Sequence, residues 1–185
     1  HGAPMKTTTQ RDVPPDTLED MLAKHQIREV LARYARAVDR ADGPLLKTCY
    51  HPDAIEEHGG NYTGNAHQYV EQAIPRILKM GPMQHLLGNS YIQLEAERAE
   101  VETYVWTYVR FRKGETPYDT FTGGRLLDRF EARNGIWKIA HRRTVFDWNR
   151  DTPSAETWCL GMFTPGTSGM LQGCKGPQDP SFQAF

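Results

Sequence analysis

The fold is decided between Met83 and Trp148, where the sequence runs MQHLLGNSYIQLEAERAEVETYVWTYVRFRKGETPYDTFTGGRLLDRFEARNGIWKIAHRRTVFDW. Apolar and polar residues alternate with a period of two over most of this stretch, which is the pattern of half-buried β-strands. Three short breaks divide it into predicted strands at 83–95, 98–113, 116–133 and 136–148. Because the breaks are short, neighbouring strands should be antiparallel, and Asn134-Gly135 favours a type I′ hairpin turn.

Helices are predicted upstream of this sheet. Asp16 followed by Glu19 has the spacing of an N-cap, and apolar residues then recur every three or four positions, which predicts a helix over 17–41. A shorter helix at 45–50, a strand pair at 54–58 and 62–63, and a third helix capped by Asn65 should follow. Helices packed on one face of a curved, mainly antiparallel sheet make an α+β architecture with a pocket between the layers.

The composition excludes several classes of protein. The chain has 185 residues and a formal net charge of −1, so it lacks the concentrated basic surface of a nucleic-acid binder. It also lacks a run of about 18 apolar residues, which a membrane-spanning helix requires. Three widely spaced cysteines fit no disulfide framework or zinc motif and indicate a reducing compartment, which we take to be the cytoplasm.

Three segments are expected along the chain. Residues 1–4 precede Met5, and we interpret them as a remnant of cloning. Residues 5–149 should form one α+β domain. Residues 150–185 are rich in Pro, Gly, Ser and Thr but also carry scattered aromatic and Met side chains. We therefore predict that this C-terminal extension packs on the domain, over the mouth of its pocket, or on a neighbouring subunit.

Asp39 and His85 are candidate catalytic residues because each falls among apolar positions. Asp39 follows Leu31 and Ala35 at four-residue spacing on the first helix, and a carboxylate at the edge of a core needs a hydrogen-bonded or charged partner. His85 alternates with Met83, Leu87 and Asn89 on one predicted strand face, so Asn89 is a candidate substrate-binding residue beside it. Two other interpretations stay open at this point: an arginine salt bridge for Asp39, and a backbone-satisfied core imidazole for His85.

Alternation also predicts further residues that line the pocket. Trp106 and Tyr108 share a face with Tyr104, and this aromatic stripe suits an aromatic substrate or, equally, an oligomer interface. His141 and Arg143 share a face of the last strand and could line the pocket or form salt bridges at the surface or between subunits. The histidine spacings match no metal site and nothing resembles a phosphate loop or dinucleotide motif, so we expect neither metal nor cofactor.

Five segments, in their order and spacing, resemble the SnoaL-like branch of the nuclear transport factor two-like superfamily. They are YARAVDRAD (34–42), YHPDA (50–54) with HGG (58–60), HLLGN (85–89), GRLLDRF (124–130) and NGIWKIA (134–140). The resemblance covers most of 18–148 and implies a cone-shaped α+β fold. It specifies the fold better than the reaction, because the superfamily includes dehydratases, dehydrochlorinases, cyclases, isomerases and noncatalytic modules.

The resemblance also implies roles for individual residues. In scytalone dehydratase-like and hexachlorocyclohexane dehydrochlorinase-like members, an Asp and a His form a catalytic pair at the positions of Asp39 and His85. His58 stands where the scytalone dehydratase-like pattern has a tyrosine that polarises the substrate through water, and Tyr34 matches a tyrosine of the bile-acid dehydratase-like pattern. The chain departs from the scytalone dehydratase-like pattern at Val38, where that pattern has tyrosine, and within 105–109, where it has a second strand histidine.

The sequence therefore predicts a cofactor-independent lyase that eliminates water or a small fragment from a small hydrophobic or aromatic substrate. Alternatives are a C–C lyase that releases formaldehyde from diarylpropane-type lignin-derived aromatics, a ketosteroid-isomerase-like isomerase, and a noncatalytic ligand-binding module. Because the family often associates through its sheet faces, the resemblance also implies a homotrimer or a homodimer.

Overall fold

A computed structural model describes residues 15–167 and 169–183, so the four residues interpreted as a cloning remnant lie outside the described part. The three predicted helices are present, and the third follows the first two strands of the sheet. The helices are α1 (Leu18–Asp39), α2 (Gly43–Thr48) and α3 (Ala66–Ile77), and the strands are β1 (Tyr50–His58), β2 (Tyr62–Asn65), β3 (Met83–Glu95), β4 (Arg98–Lys113), β5 (Thr116–Arg133) and β6 (Ile136–Pro153).

The N-cap of the first helix lies one residue later than predicted. Thr17, not Asp16, is the N-cap: its hydroxyl accepts from the Asp20 amide at 3.1 Å, and the Asp20 carboxylate accepts from the Thr17 amide at 2.8 Å. These two bonds form a reciprocal capping box. Asp16 instead pairs with Lys24 at 2.6 Å. The helix ends at Asp39, earlier than predicted, because Ala41 takes a positive φ and turns the chain.

The six strands form one open sheet in the order β2-β1-β6-β5-β4-β3. All neighbouring pairs are antiparallel except β1 and β6, which are parallel. The predicted bounds of β3, β4 and β5 are confirmed, and so are the positive φ angles at Asn134 and Gly135 that a type I′ turn requires. The last strand continues past Trp148 to Pro153, which pairs with Tyr118.

The second helix and the first strand differ from their predicted bounds. α2 ends at Thr48, and β1 begins at Tyr50 although Pro52 lies inside it. The pairing with β6 skips from Tyr50 to Ile55, so Pro52 lies where the ladder needs no backbone N–H from it.

Bulges in the strands change which residues face the helices, and two of them affect predicted site residues. In β3 the register with β4 shifts between Leu87 and Ser90, and in β6 the register with β5 shifts around Ala140. One extra residue reverses the alternation beyond it. Ser90 and Ile92 therefore face inward in place of Asn89 and Tyr91, and Arg142 faces inward in place of His141.

The buried core lies between the helices and the inner face of the sheet. From α1 it takes Ile27, Leu31 and Tyr34, and from α3 it takes Val70 and Ala73, all less than 10 % exposed. Inward residues of the strands complete it. The two layers meet over most of this face and separate where the cavity described below opens.

Gly124 is required by the close approach of β5 and β6. A Cβ atom on Gly124 would lie 2.3 Å from the carbonyl oxygen of Val145, which is backbone and cannot swing away. We expect Gly124→Ala to lower the free energy of unfolding by about 1–3 kcal/mol. The measurement is urea unfolding, with Gly169→Ala as the control because a Cβ there meets nothing within 4 Å. Equal stability of the two variants would contradict this account of the packing.

Within the described residues, no helix combines the length and the apolar composition that crossing a membrane requires.

Candidate active site

A cavity of about 530 Å³ opens between α1, α3 and the inner face of the sheet. Its walls are mainly apolar, with aromatic rings from Tyr62, Tyr69, Phe111 and Phe146. Four hydroxyls on the sheet side interrupt this apolar surface, contributed by Thr107, Thr120, Thr122 and Thr144. A cavity of this kind can hold a small hydrophobic molecule and orient it through a few polar contacts.

Asp39 and His85 meet at one wall of the cavity. The Nδ1 atom of His85 lies 2.6 Å from Oδ1 of Asp39, and the backbone N–H of His85 donates to Oδ2 at 2.9 Å. Both side chains are more than four-fifths buried, with 16 % of His85 and 13 % of Asp39 exposed. The carboxylate is therefore held at both oxygens by one residue, and the imidazole is held at one nitrogen.

This geometry fixes the tautomer of His85. Because a carboxylate only accepts hydrogen bonds, Nδ1 must carry the hydrogen, and Nε2 of the neutral ring is left with a lone pair. Among residues 15–167 and 169–183, Nε2 has no hydrogen-bond partner, and the ring lines the cavity. An imidazole held in this way can accept a proton from a bound molecule at Nε2 and return it to a leaving group.

Tyr34 lies at the cavity above a buried ion pair. Burial raises the pKa of Tyr34 to about 12, so its hydroxyl stays neutral at physiological pH. The Arg142 guanidinium lies 4.0 Å from the centre of the Tyr34 ring, in cation–π geometry. Arg142 also donates two bonds of 2.6 Å to the carboxylate of Asp128, and both side chains are fully buried. This pair supports the floor of the cavity.

A second imidazole reaches the cavity from β1. Nδ1 of His58 lies 3.1 Å from Oε1 of Glu56, whose side chain is fully buried. Oε2 of Glu56 accepts from the hydroxyl of Tyr50 at 2.8 Å. The His58 ring stacks on Tyr69, with ring centres 5.1 Å apart.

Four of the predicted site residues lie at the cavity or directly behind it: Tyr34, His58 and His85 line it, and Asp39 lies behind His85. Their roles stay predictions. The other five do not line this cavity. Asn89 is turned outward by the β3 bulge, and Trp106 and Tyr108 lie on the outer face of β4. The β6 bulge turns His141 and Arg143 outward, where both bind Glu57: His141 Nε2 at 2.6 Å and Arg143 Nε at 2.8 Å.

Three features of the site escaped the sequence-based prediction. Thr107 on β4 alternates with the aromatic stripe, so strand periodicity alone could have placed its hydroxyl inside. Glu56 lies two residues before His58 on one strand, and this spacing was an available signal for a shared face. The pairing of Asp128 with Arg142 had no such signal, because it depends on the bulge in β6.

The C-terminal segment contacts the end of α1, close to Asp39. The backbone N–H of Gly176 donates to the carbonyl of Arg40 at 2.7 Å. Nζ of Lys175 donates to the carbonyls of Ile77, Met80 and Gly81 at 2.7–3.1 Å, and burial lowers its pKa. The segment thus joins the end of α1, which carries Asp39, to the loop that leads into β3, which carries His85.

Asp179 holds this segment in a turn and should make its attachment sensitive to acid. Its carboxylate accepts from Cys174 N at 2.8 Å and from the backbone and hydroxyl of Ser181, and these bonds lower its pKa to about 2. The folded pKa lies below the ordinary 3.8, so the unfolded chain takes up the proton first as the pH falls. The stabilisation should be complete near neutral pH and lost as the pH falls through about 4 towards 2.

The test compares the unfolding midpoints of the wild type and Asp179→Asn from pH 6 downwards. The difference between them should shrink as the pH falls. A difference that does not change with pH would show that the carboxylate charge is not what holds the turn.

Among residues 15–167 and 169–183, no three His, Cys, Asp or Glu side chains are grouped so that they could hold a metal ion.

The fold and the site together define a class of protein: a helix-covered, curved sheet that encloses an apolar cavity with an imidazole–carboxylate pair at its wall. The sequence model of the SnoaL-like domain matches residues 19–143, more than half of the chain. The chain therefore belongs to the SnoaL-like family. It has no significant match among curated protein sequences.

Solved structures support the same fold. A type 2 hexachlorocyclohexane dehydrochlorinase, LinA, superposes with a TM-score of 0.67 at 16 % identity, over 81 % of this chain and 99 % of that one. LinA-type3 from Novosphingobium barchaimii gives a TM-score of 0.65 at 16 % identity, over 75 % and 94 % of the two chains. A candidate scytalone dehydratase from Novosphingobium aromaticivorans gives 0.64 at 17 % identity, over 71 % and 89 %. At these identities the likeness establishes the fold only.

Proposed function

We propose that this protein is a cofactor-independent lyase that eliminates water or a small fragment from a small hydrophobic, aromatic substrate. His85 is the acid/base group and Asp39 holds it. The observation that carries the proposal is the 2.6 Å contact between His85 Nδ1 and Asp39, which leaves Nε2 at the wall of an apolar cavity. The family and its structural relatives, which include a candidate dehydratase and dehydrochlorinases, support this class of reaction.

The elimination needs a base and a proton donor. Nε2 of His85 takes a proton from a carbon next to an activating group, and the electrons of that C–H bond form the new double bond. The neighbouring C–O bond breaks, its electrons pass to oxygen, and the oxygen leaves as water once it gains a proton. Asp39 stabilises the imidazolium that forms, because its carboxylate accepts the Nδ1 hydrogen in both protonation states.

The substrate class follows from the cavity. A volume of about 530 Å³ falls within the usual range for small-molecule sites, and a sphere of that volume is about 10 Å across. The aromatic rings in its wall favour a substrate that carries rings of its own, and they support a role in the catabolism of aromatic compounds.

A second candidate reaction is favoured by the same aromatic walls: C–C cleavage that releases formaldehyde from a diarylpropane-type compound. The outer aromatic stripe that first suggested a two-ring substrate lies outside the cavity, so this alternative now depends on Tyr62, Tyr69, Phe111 and Phe146.

The deciding experiment is a turnover screen by mass spectrometry without added cofactor. The wild type and His85→Ala are offered aromatic diols, diarylpropanes, hydroxylated polyketides and steroid-like alcohols. We expect the wild type to form a product lighter by water, and folded His85→Ala to form none. A product lighter by formaldehyde would select the second candidate. An unchanged mass with a shifted double bond would indicate an isomerase, and bound ligand without turnover would favour a binding module.

The proposal extends to assembly and location. The outer face of the sheet exposes Trp106 and Tyr91, each 62 % accessible, and Trp148. Association through this face would bury an apolar surface that is unusual for a monomer, and it supports a homotrimer or homodimer. The three thiols form no disulfide, which supports the cytoplasm as the location. Light scattering during gel filtration measures the oligomeric state.

A further inference from the structure

The cavity contains a second imidazole–carboxylate pair, formed by His58 and Glu56. We propose that His58 is a second acid/base group of this site, which donates a proton to the departing oxygen while His85 removes the proton from carbon. This inference rests on the proposed function and goes beyond it, because the proposed function assigns only His85 and Asp39.

The first argument is the burial of Glu56. Its side chain is fully buried, and an isolated buried carboxylate is costly unless it is hydrogen-bonded or paired with a charge. Among the described residues it bonds Tyr50 through Oε2 and His58 through Oε1. When Glu56 is ionised it accepts the Nδ1 hydrogen of His58, which leaves Nε2 to exchange a proton with a bound molecule. His58 and Tyr69 both line the cavity, and their stacking sets the plane of the imidazole ring.

The second argument is an unpartnered hydroxyl beside His58. Thr144 is the register partner of His58 in the parallel pairing of β1 with β6, and it also lines the cavity. Its Oγ1 atom is buried and has no hydrogen-bond partner among the described residues. Buried hydroxyls are normally satisfied, so an oxygen atom of a bound molecule is the expected partner. The polar end of the substrate should therefore lie against His58 and Thr144.

The third argument is the placement of the two pairs. His58 lies on β1 and His85 on β3, which are separated in the sheet by β6, β5 and β4. Both rings nevertheless line one cavity because the sheet curves around it. A substrate between them can lose a proton to one imidazole and gain a proton from the other.

The elimination transfers one proton to His85 and one proton from His58. His85 starts neutral and ends as imidazolium; His58 starts as imidazolium and ends neutral. The C–H electrons become the double bond, the C–O electrons pass to oxygen, and the His58 proton completes the water that leaves. A proton then returns from His85 to His58 through solvent, and no oxidant, reductant or cofactor is consumed.

The test separates the two roles by the leaving group. Two aryl ketones are compared that differ only at the β carbon, one with a hydroxyl and one with an acetoxy group, because acetate leaves with little help from a proton. We expect His58→Gln to lower kcat for the hydroxyl compound by on the order of 10²–10³-fold and for the acetoxy compound by less than about tenfold. His85→Ala should lower both equally. Exposed His25→Gln on α1 is the matched control.

Two more variants test the proposed roles of Glu56 and Thr144. Glu56→Gln should reproduce the selective loss of His58→Gln, as expected of a positioning residue. Thr144→Val should raise KM for the hydroxyl compound while leaving the unfolding midpoint unchanged or higher, because it removes a buried hydroxyl that has no partner.

The outcomes separate this inference from the proposed function. If His58→Gln slows both compounds equally, or neither, His58 is not the proton donor and this inference fails, whereas the role of His85 stands. If the wild type eliminates neither compound, the proposed function fails for this substrate class and the role of His58 fails with it.

Discussion

Asp39→Asn should lower kcat by on the order of 10²–10⁴-fold while leaving the fold intact, and this loss should match that of His85→Ala. In the wild type the backbone N–H of His85 donates to Asp39 at 2.9 Å. The side-chain oxygen of an asparagine can still accept this hydrogen bond. Its amide nitrogen would then face Nδ1 of His85 and donate to it. The imidazole hydrogen would move to Nε2, so the atom at the cavity wall could no longer act as a base.

The measurement is steady-state kinetics on the substrate found in the screen, together with circular dichroism of each variant. His25→Ala, an exposed histidine of α1 outside the cavity, should keep full activity. Full turnover by folded Asp39→Asn would show that the tautomer of His85 does not matter, and the assignment of the pair would be lost.

Asp128→Asn should have the largest effect on stability. The Asp128 carboxylate lies under Tyr34 with Arg142, and burial raises its pKa although the guanidinium opposes this. Removing one partner leaves an uncompensated charge in the core, which costs about 3–5 kcal/mol. For a domain of this size such a loss lowers the unfolding temperature by roughly 6–20 °C.

The control is the double variant Asp128→Leu with Arg142→Met, which replaces the ion pair by apolar side chains. It should recover most of the lost stability, because well-packed apolar replacements of buried ion pairs are often neutral or stabilising. Calorimetry of the three proteins measures both effects. If the free energy of unfolding of Asp128→Asn lies within about 1 kcal/mol of the wild-type value, the prediction fails, and water must reach Arg142 when Asp128 is replaced.

Much of the fold could be predicted because its signals are local. The alternation in β3, β4 and β5 fixed their bounds, and the Asn134-Gly135 turn fixed one hairpin. The parallel pairing of β1 with β6 had no local signal, since it joins segments from opposite ends of the domain. The cap of α1 was misplaced by one residue because Asp16 and Thr17 are both good caps, and only the reciprocal bonds of Thr17 with Asp20 decide between them.

The residues of the candidate site could likewise be predicted only where the sequence carries a local signal. Asp39 and His85 were found because each is a polar residue at an apolar position, and the family resemblance paired them. Alternation could not decide between the pocket and a salt bridge for His141 and Arg143, because a strict period of two cannot anticipate a bulge, and one extra residue at Ala140 turns Arg142 inward instead. The role of Thr144 could not be predicted, because it depends on which strand lies beside β1.

The attachment of the C-terminal segment has a consequence for how the molecule is made. During synthesis the chain emerges from its N terminus, so Asp39, Glu56 and His58 appear early. Yet β1 obtains its parallel neighbour only when β6 is complete, and the last turn of α1 receives its bond from Gly176 later still. A nascent chain that has not yet reached β6 and Gly176 therefore carries the reactive side chains without their alignment, and the site matures only after both have been synthesised.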